Sequence, residues 1–294
     1  MTATTDAFET FRSRLELSET ERQDTIRRHN EVRDCIRAKF DIDRDFLTGS
    51  YARHTKTKPL KDVDIFFVLG EREAGRRAKP PDEVLEAFRS CLAEKYGKDS
   101  VELGRRCVTV EFEKRNPTAD QEGKVLSIDA VPAFELDDCY EIPDRDLGRW
   151  IKSDPDVHKE ESTAKNAECD GRWVPLVKMV KRWNRSAGKP IAPSFLIEVM
   201  AQDLVRAPFV DYPTEVRSFF AAAQEGVWRD WPDPAGFGPP VSDQMTKDKR
   251  GRAANLLREA ELQAMHAMRL QAQGKGGEAV AMWARIMGRY FPTR

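Results

Sequence analysis

The chain of 294 residues carries 49 Lys and Arg against 50 Asp and Glu, a formal charge of -1, with 34% charged and 40% hydrophobic residues. No apolar run approaches the roughly 20 residues of a membrane span and charge interleaves residues 1–30, so neither a membrane protein nor a secretory leader is expected, and the location is expected to be cytoplasmic. Five cysteines without a C-x-x-C pair, and only four histidines, argue against a disulfide scaffold or a structural zinc site, so reduced, mostly buried thiols are expected.

The length allows one large domain or two. The N-terminal tract favours helix, and Ser18-Glu19-Thr20-Glu21 has the form of a capping box ahead of Ile26, Val32, Ile36 and Phe40 at helical spacing. A long N-terminal helix ending near Phe40 is expected. Residues 45–48 read as a short strand running into Gly49-Ser50, after which Tyr51, Arg53 and Thr55 read as an exposed basic turn. Residues 62–69, Asp-Val-Asp-Ile-Phe-Phe-Val-Leu, are the most apolar strand of the chain and stop at Gly70. Pro80-Pro81-Asp82 starts a helix whose Val84, Leu85, Phe88, Cys91, Leu92 and Tyr96 repeat with helical period and end at Gly97. Residues 107–112 and 125–131 read as two more strands, joined by a polar turn over 114–124. Beyond Pro143 the segments have helical period and are separated by Pro and Gly clusters at 190–193, 232–240 and 274–277, so the second half is expected to be mainly helical. Residues 247–294 hold ten basic and four acidic side chains, a charge of +6. Their dense part, 247–252, reads either as a solvated loop and helix start or as a phosphate-binding footprint.

The chemistry concentrates in three aspartates and a Gly-Ser. Side chains alternate across a strand, so Asp62 and Asp64 point to one face, about 6–7 Å apart along it. Asp129 shares a face with Val125, Ser127 and Val131, and pairing of its strand beside the first would bring a third carboxylate to the same place. Convergent carboxylates repel one another unless a cation lies between them, and hard oxygen ligands suit Mg2+. Two such ions about 4 Å apart can activate an attacking oxygen and stabilise a leaving pyrophosphate. Gly49-Ser50 supplies the other half of a phosphoryl-transfer site, since glycine allows close backbone approach and the hydroxyl adds a donor, above all if a helix begins near Tyr51. Taken singly, Gly-Ser also reads as a turn and Asp-x-Asp as a solvated strand end. Their succession on strongly apolar strands points to catalysis.

Leu47-Thr48-Gly49-Ser50-Tyr51-Ala52-Arg53 through Asp62-Val63-Asp64-Ile65 resembles the signature of the DNA polymerase β-like nucleotidyltransferase superfamily. Within it the chain is similar to the bacterial cGAS/DncV-like nucleotidyltransferases, the CD-NTases or SMODS proteins. Residues 127–134 are similar to the third-aspartate strand of that family, and residues 150–155, His158, 174–184 and 193–198 to its helical half. The similarity covers most of 40–205 and reaches weakly to the C-terminus through 283–292. It implies an α+β fold with a polymerase β-like core over 1–142, a mixed sheet with flanking helices and a long N-terminal helix. An oligoadenylate-synthase-like helical domain over 143–294 completes a bilobal chain with a central cleft, the N-terminal helix being able to pack across both.

The resemblance also implies roles. Asp62 and Asp64 hold two Mg2+ ions, for which Mn2+ can substitute, and Asp129 completes the site and helps deprotonate the acceptor hydroxyl. Ser50 and the Gly49 backbone hold the donor triphosphate, Lys181 and Ser194 contact it, and Phe195 stacks on the donor base. Read from the residues alone, each of the last three has an alternative. Lys178, Lys181, Arg182 and Arg185 form a solvated face of a helix that buries Trp173, Leu176, Val177 and Val180; Ser194 after Pro193 caps a helix; Phe195 belongs to the core. His158 and Asn166 lie where the family shapes its acceptor pocket, or serve as cap or core hydrogen bonds. The implied activity is template-independent synthesis of a cyclic di- or trinucleotide second messenger from nucleoside triphosphates, ATP among them, with release of pyrophosphate, in CBASS antiphage defence. The product, rather than a contact, would activate a downstream effector, and neither a membrane nor a nucleic-acid substrate is expected. The alternatives are a linear oligonucleotide synthase, a nucleotidyltransferase acting on RNA or a small acceptor, and a non-catalytic nucleotide-binding protein. Three aspartates in apolar strands weigh against the last, because charge there is costly without a cation.

Overall fold

The apolar run that follows Asp62 becomes strand β2 (Val63–Leu69), buried on both faces as its near-continuous hydrophobicity requires. It belongs to a seven-stranded sheet in the computed structural model of the protein, which describes residues 2–58, 60, 63–112, 125 and 127–293. Asp62 and the turn expected over 114–124 lie outside the described residues. The chain divides into two units, residues 17–158 and residues 1–16 with 159–294.

In the first unit the strands are β1 (Ile42–Leu47), β2, β3 (Val101–Leu103), β4 (Val108–Glu111), β5 (Ser127–Glu135), β6 (Tyr140–Asp144) and β7 (Arg149–Ser153). The order is β1-β2-β5-β4-β3, with β6 continuing from β5 and β7 from β6. β2 and β5 pair in parallel and the other neighbours are antiparallel. One face of the sheet sends Val63, Ile65, Phe67, Val108, Val110, Ile128 and Ala130 against α2 (Glu19–Arg37) and α4 (Pro81–Tyr96), where Val32, Ile36, Val84, Phe88 and Leu92 are buried. The other face sends Phe66, Val68, Val131 and Ala133 to a smaller cluster closed by Tyr140, Ile142 and Ile151. Burying each such side chain contributes about 1.5–3 kcal/mol, which outweighs the roughly 1 kcal/mol span of strand propensity.

The β6–β7 hairpin corrects the expectation of helix from Pro143 onward. Its period is two, with Ile142 opposite Ile151, and the run is too short and too polar on its outer face to announce itself. Asp144 anchors its turn. Fully buried, this carboxylate accepts from Arg105 Nε at 2.8 Å, Arg106 Nε at 2.9 Å and the Leu147 N–H at 3.1 Å.

The second unit is helical. It contains α1 (Ala3–Leu15), most of α5 (Pro155–Glu168), α6 (Trp173–Ser186), α7 (Phe195–Leu204), α8 (Tyr212–Gly226), α9 (Lys247–Ala272) and α10 (Gly276–Met287). Phe8 stands edge-on to Trp283, centroids 4.8 Å apart, and 5.1 Å from Phe291, which ties the first helix to the last. On α9, Ala253, Leu257, Ala260, Ala264, Ala267 and Leu270 form a buried stripe of mostly small residues at helical spacing. The expected single N-terminal helix is two helices in two units. Glu16 is extended, and Ser18 starts α2 with a complete capping box: its hydroxyl accepts from the Glu21 N–H, and the Glu21 carboxylate accepts from the Ser18 N–H. The break between α1 and α2 coincides with the division of the units near residue 16. All five cysteines are free thiols. Among the described residues, no helix is long and apolar enough to cross a membrane.

Burial alone would raise the Asp144 carboxyl, but hydrogen bonds from Arg105 and Arg106 outweigh it and hold the group below the usual carboxylate range. Asp144→Ala is expected to lower the unfolding free energy by about 2 kcal/mol, nearer a charged hydrogen bond than a sealed ion pair because both arginines keep some solvent contact. In urea titrations the gap to the parent should be full above the unfolded carboxyl value near pH 4 and shrink as pH falls through the lower folded value.

Candidate active site

The first unit assembles its chemistry where β1 hands over to β2. Leu47 pairs with Ile65, and the Thr48 N–H donates to the Asp64 carbonyl at 2.9 Å, so the chain turns at Gly49 directly over Asp64. Gly49 has φ +60°, and a Cβ there would lie 1.8 Å from Asp64 Oδ2. Residue 49 must be glycine for both reasons, backbone conformation and space. The helix expected near Tyr51 is a single turn, α3 (Gly49–Ala52), with Ser50 partly buried. The basic turn that follows is not exposed. The Thr55 N–H donates to the Ser50 carbonyl at 3.0 Å, and Arg53, Thr55, Lys56 and Thr57 are all buried. Sequence reasoning missed this, although a run of alternating basic and hydroxyl side chains beside a Gly-Ser is an available signal.

Asp64 and Asp129 stand opposite one another in the parallel β2–β5 register. Their side chains therefore leave the same face, about 4.8 Å apart at the backbone. Each is partly buried, on the face that carries Phe66, Val68, Val131 and Ala133. Thr109 of β4 lies opposite Asp129 on its other side, and its hydroxyl donates to Asp129 Oδ1 at 2.6 Å. Val125 does not share this face as expected; it lies before β5 and packs with Ile128 on the helix-covered side. Two adjacent carboxylates on one face, with apolar side chains beside them, form a hard-oxygen donor set suited to a divalent cation. Among the described residues no group of three such ligands occurs, two of the three expected aspartates being described.

In the helical unit, the expectation that Lys178 and Lys181 form a solvated helix face is overturned. Helix α6 is packed on several sides, and both lysines are buried. Lys181 Nζ donates to Glu198 Oε1 at 2.6 Å, and Lys178 Nζ to Glu16 Oε2 at 2.7 Å. Arg182 is partly buried, with its guanidinium 5.0 Å from the Tyr290 ring centroid, and burial pushes its pKa down. Ser194 occupies the N-cap position of α7 but has helical backbone angles and makes no side-chain cap bond, so the capping role expected of its hydroxyl is not realised. It is exposed one turn before Glu198, on the helix face that holds the partner of Lys181. Phe195 is partly buried and packs against the helical core, as its structural reading requires. The Asn166 side-chain carbonyl accepts from the Val174 N–H at 2.9 Å, a hydrogen bond at the start of α6. Of the 247–252 basic cluster, Arg250 donates to the Met245, Trp228 and Arg229 carbonyls and to Asp230, while Lys247, Lys249 and Arg252 are exposed.

Removing one partner of a buried ion pair leaves the other charge uncompensated. Glu198→Ala is expected to lower stability by about 3–5 kcal/mol in chemical denaturation, and the double variant Lys181→Met with Glu198→Leu by clearly less than the single variant.

A family profile for the Second Messenger Oligonucleotide or Dinucleotide Synthetase (SMODS) domain matches residues 1–166. A probable cyclic nucleotide synthase of Bacillus cereus (strain VD146) is 26% identical, in an alignment covering 83% of this chain and 81% of that protein. The cyclic AMP-AMP-AMP synthase of Acinetobacter sp. (strain ATCC 27244 / 9458) is also 26% identical, over 95% of this chain and 83% of that one. The solved structure of CdnC with ATP from E. coli MS115-1 shares the fold, with a TM-score of 0.71 at 17% identity and 98% of each chain covered. With the mixed sheet, the Gly-Ser turn and the strand aspartates already in view, the chain belongs to the SMODS family of bacterial nucleotidyltransferases, the CD-NTases, in which divalent-metal use is general.

Proposed function

We propose that the protein is a template-independent nucleotidyltransferase that joins nucleoside triphosphates, ATP among them, into a cyclic di- or trinucleotide with release of pyrophosphate. In this reading it acts in the cytoplasm within CBASS antiphage defence, and its product, not a contact, activates a downstream effector. The observation that carries the proposal is the seating of Gly49 on Asp64. A Cβ at position 49 would meet Asp64 Oδ2 at 1.8 Å, so the phosphate-loop backbone lies against a carboxylate that is itself in register with Asp129.

Asp64 and Asp129, together with Asp62, are the residues that would hold two Mg2+ ions, with Mn2+ able to replace them; adjacent oxygen donors on one strand face fit such ions. When bound, such ions supply positive charge at the reacting phosphate and the acceptor oxygen. The remaining work falls to the chain. Gly49 and Ser50 bind the donor triphosphate, and the Thr48 N–H bond to the Asp64 carbonyl keeps that loop in register with the carboxylate beneath it. Asp129 receives the acceptor proton. From the helical unit, Lys181 and Ser194 contribute triphosphate contacts and Phe195 stacks on the donor base. The uncommitted Ser194 hydroxyl favours that role, whereas Lys181 would share its ammonium between Glu198 and phosphate. Rate enhancement then comes from positioning and charge, without a covalent intermediate.

Incubation with the four α-labelled ribonucleoside triphosphates and Mg2+, followed by phosphatase and mass spectrometry, is expected to yield a small ring that retains its label. Linear products, or label transferred only to added RNA, would overturn the proposal. Asp64→Ala is expected to remove product while the thermal melt stays cooperative. Gly49→Ala is expected to lower turnover about a hundredfold or more, since it displaces the Asp64 carboxylate by an ångström or more.

A further inference from the structure

We infer that Thr109 is a positioning residue for Asp129, orienting that carboxylate for the ligand and proton-acceptor roles; the inference rests on the reading of Asp129 given above. The two residues are directly opposite in the antiparallel β4–β5 pair, and Thr109 Oγ1 lies 2.6 Å from Asp129 Oδ1. An ionised carboxylate has no proton to give, so the hydroxyl donates. The separation falls in the range of charge-assisted O–H···O hydrogen bonds, stronger than neutral ones.

Three features make this more than a strand contact. First, the terminal torsion of an aspartate is broad, so nothing in Asp129 itself selects the plane of its carboxylate. A bond to one named oxygen does select it. Second, the donor is stiff. Threonine is β-branched and restricted at χ1, and its strand is held on both sides, by β3 and by β5. Third, shape does not require threonine here. The flanking positions of β4, Val108 and Val110, face the helix-covered core and are valines of nearly the same shape; position 109 faces the aspartate row and carries a hydroxyl. Asp64, Asp129 and Thr109 thus form one lateral row across three adjacent strands, which Glu102 of β3 continues opposite Thr109. Cys107, two residues back on the same strand face, brings its Sγ to 3.9 Å from Thr109 Oγ1 and gives at most a weak contact.

The test compares Thr109→Val, which keeps the shape and strand preference and loses the hydroxyl, with Thr109→Ser, which keeps the hydroxyl. Three quantities are measured on the full chain: Mn2+ binding by electron paramagnetic resonance in the presence of a non-hydrolysable ATP analogue, turnover against Mg2+ concentration, and the melting temperature. Thr109→Val is expected to weaken Mn2+ binding and to lower turnover by about tenfold to a hundredfold, the usual cost of removing a partner of a metal ligand, with little change in melting temperature. Thr109→Ser is expected to restore both. Should the valine variant fail to fold, Thr109→Ala removes the hydroxyl without adding a methyl group and takes its place. Parent-like Mn2+ binding and Mg2+ dependence in the hydroxyl-free variant would overturn the inference, as would failure of serine to rescue. Asp129→Asn separates the two levels. If it retains full turnover and Mn2+ binding, the role of Asp129 falls and this inference with it; if it is inactive while Thr109→Val behaves as the parent, the inference alone falls.

Discussion

The parallel pairing of β2 with β5 sets Asp64 beside Asp129 and at the same time sorts every other side chain of the two strands. Because the period of a strand is two, the residues on either side of each aspartate, Val63 with Ile65 and Ile128 with Ala130, go to the helix-covered core. A slip of one residue would exchange the two sets, driving carboxylates into an apolar layer and valines and isoleucines onto the reactive face. The cost of burying unpaired charge far exceeds the preference of any single side chain, so the register is strongly specified. The site follows from that register, since the Gly49 turn rests on Asp64 and the Thr109 hydroxyl on Asp129.

Charge in the helical unit is handled differently. Lys178 and Lys181 lie on α6 among helices, each answered by one carboxylate, Glu16 at the end of α1 and Glu198 within α7. The two pairs are unequal. Glu16 keeps close to half of its side-chain exposure, so water screens the acid side of the Lys178 pair, while Glu198 and Lys181 are both sealed. A sealed ammonium that faces a carboxylate is already desolvated, so a competing phosphate acts on a charge that has left water. This gives the proposed triphosphate contact of Lys181 a different energetic character from that of an exposed lysine.

Legibility differed from residue to residue for physical reasons. Asp64, Asp129 and the strand that holds each were readable because a charge inside an apolar alternating run has few ordinary explanations. The Ser18–Glu21 capping box is equally local, and because a cap begins a helix it separates α2 from α1. The β6–β7 hairpin was missed because five-residue strands with a proline and charged outer positions offer too little periodicity. Burial of Lys181 was misjudged because a helical wheel shows which side is apolar, not how many neighbours surround the helix. Ile26 shows the converse, an apolar residue at helical spacing that remains 49% exposed.

Residue type and short-range spacing in the sequence were sufficient to determine the strands that carry Asp64 and Asp129 and the glycine turn before them, and the resemblance carried by those motifs supplied the α+β class and the family. Only the tertiary structure decided that Asp64 and Asp129 are lateral neighbours, that Thr109 is bonded to the second of them, that Arg53, Thr55, Lys56 and Thr57 are buried, and that Lys181 is paired with Glu198. Those relations join residues between 17 and 65 positions apart, or depend on how many elements surround a side chain, and no local pattern encodes either.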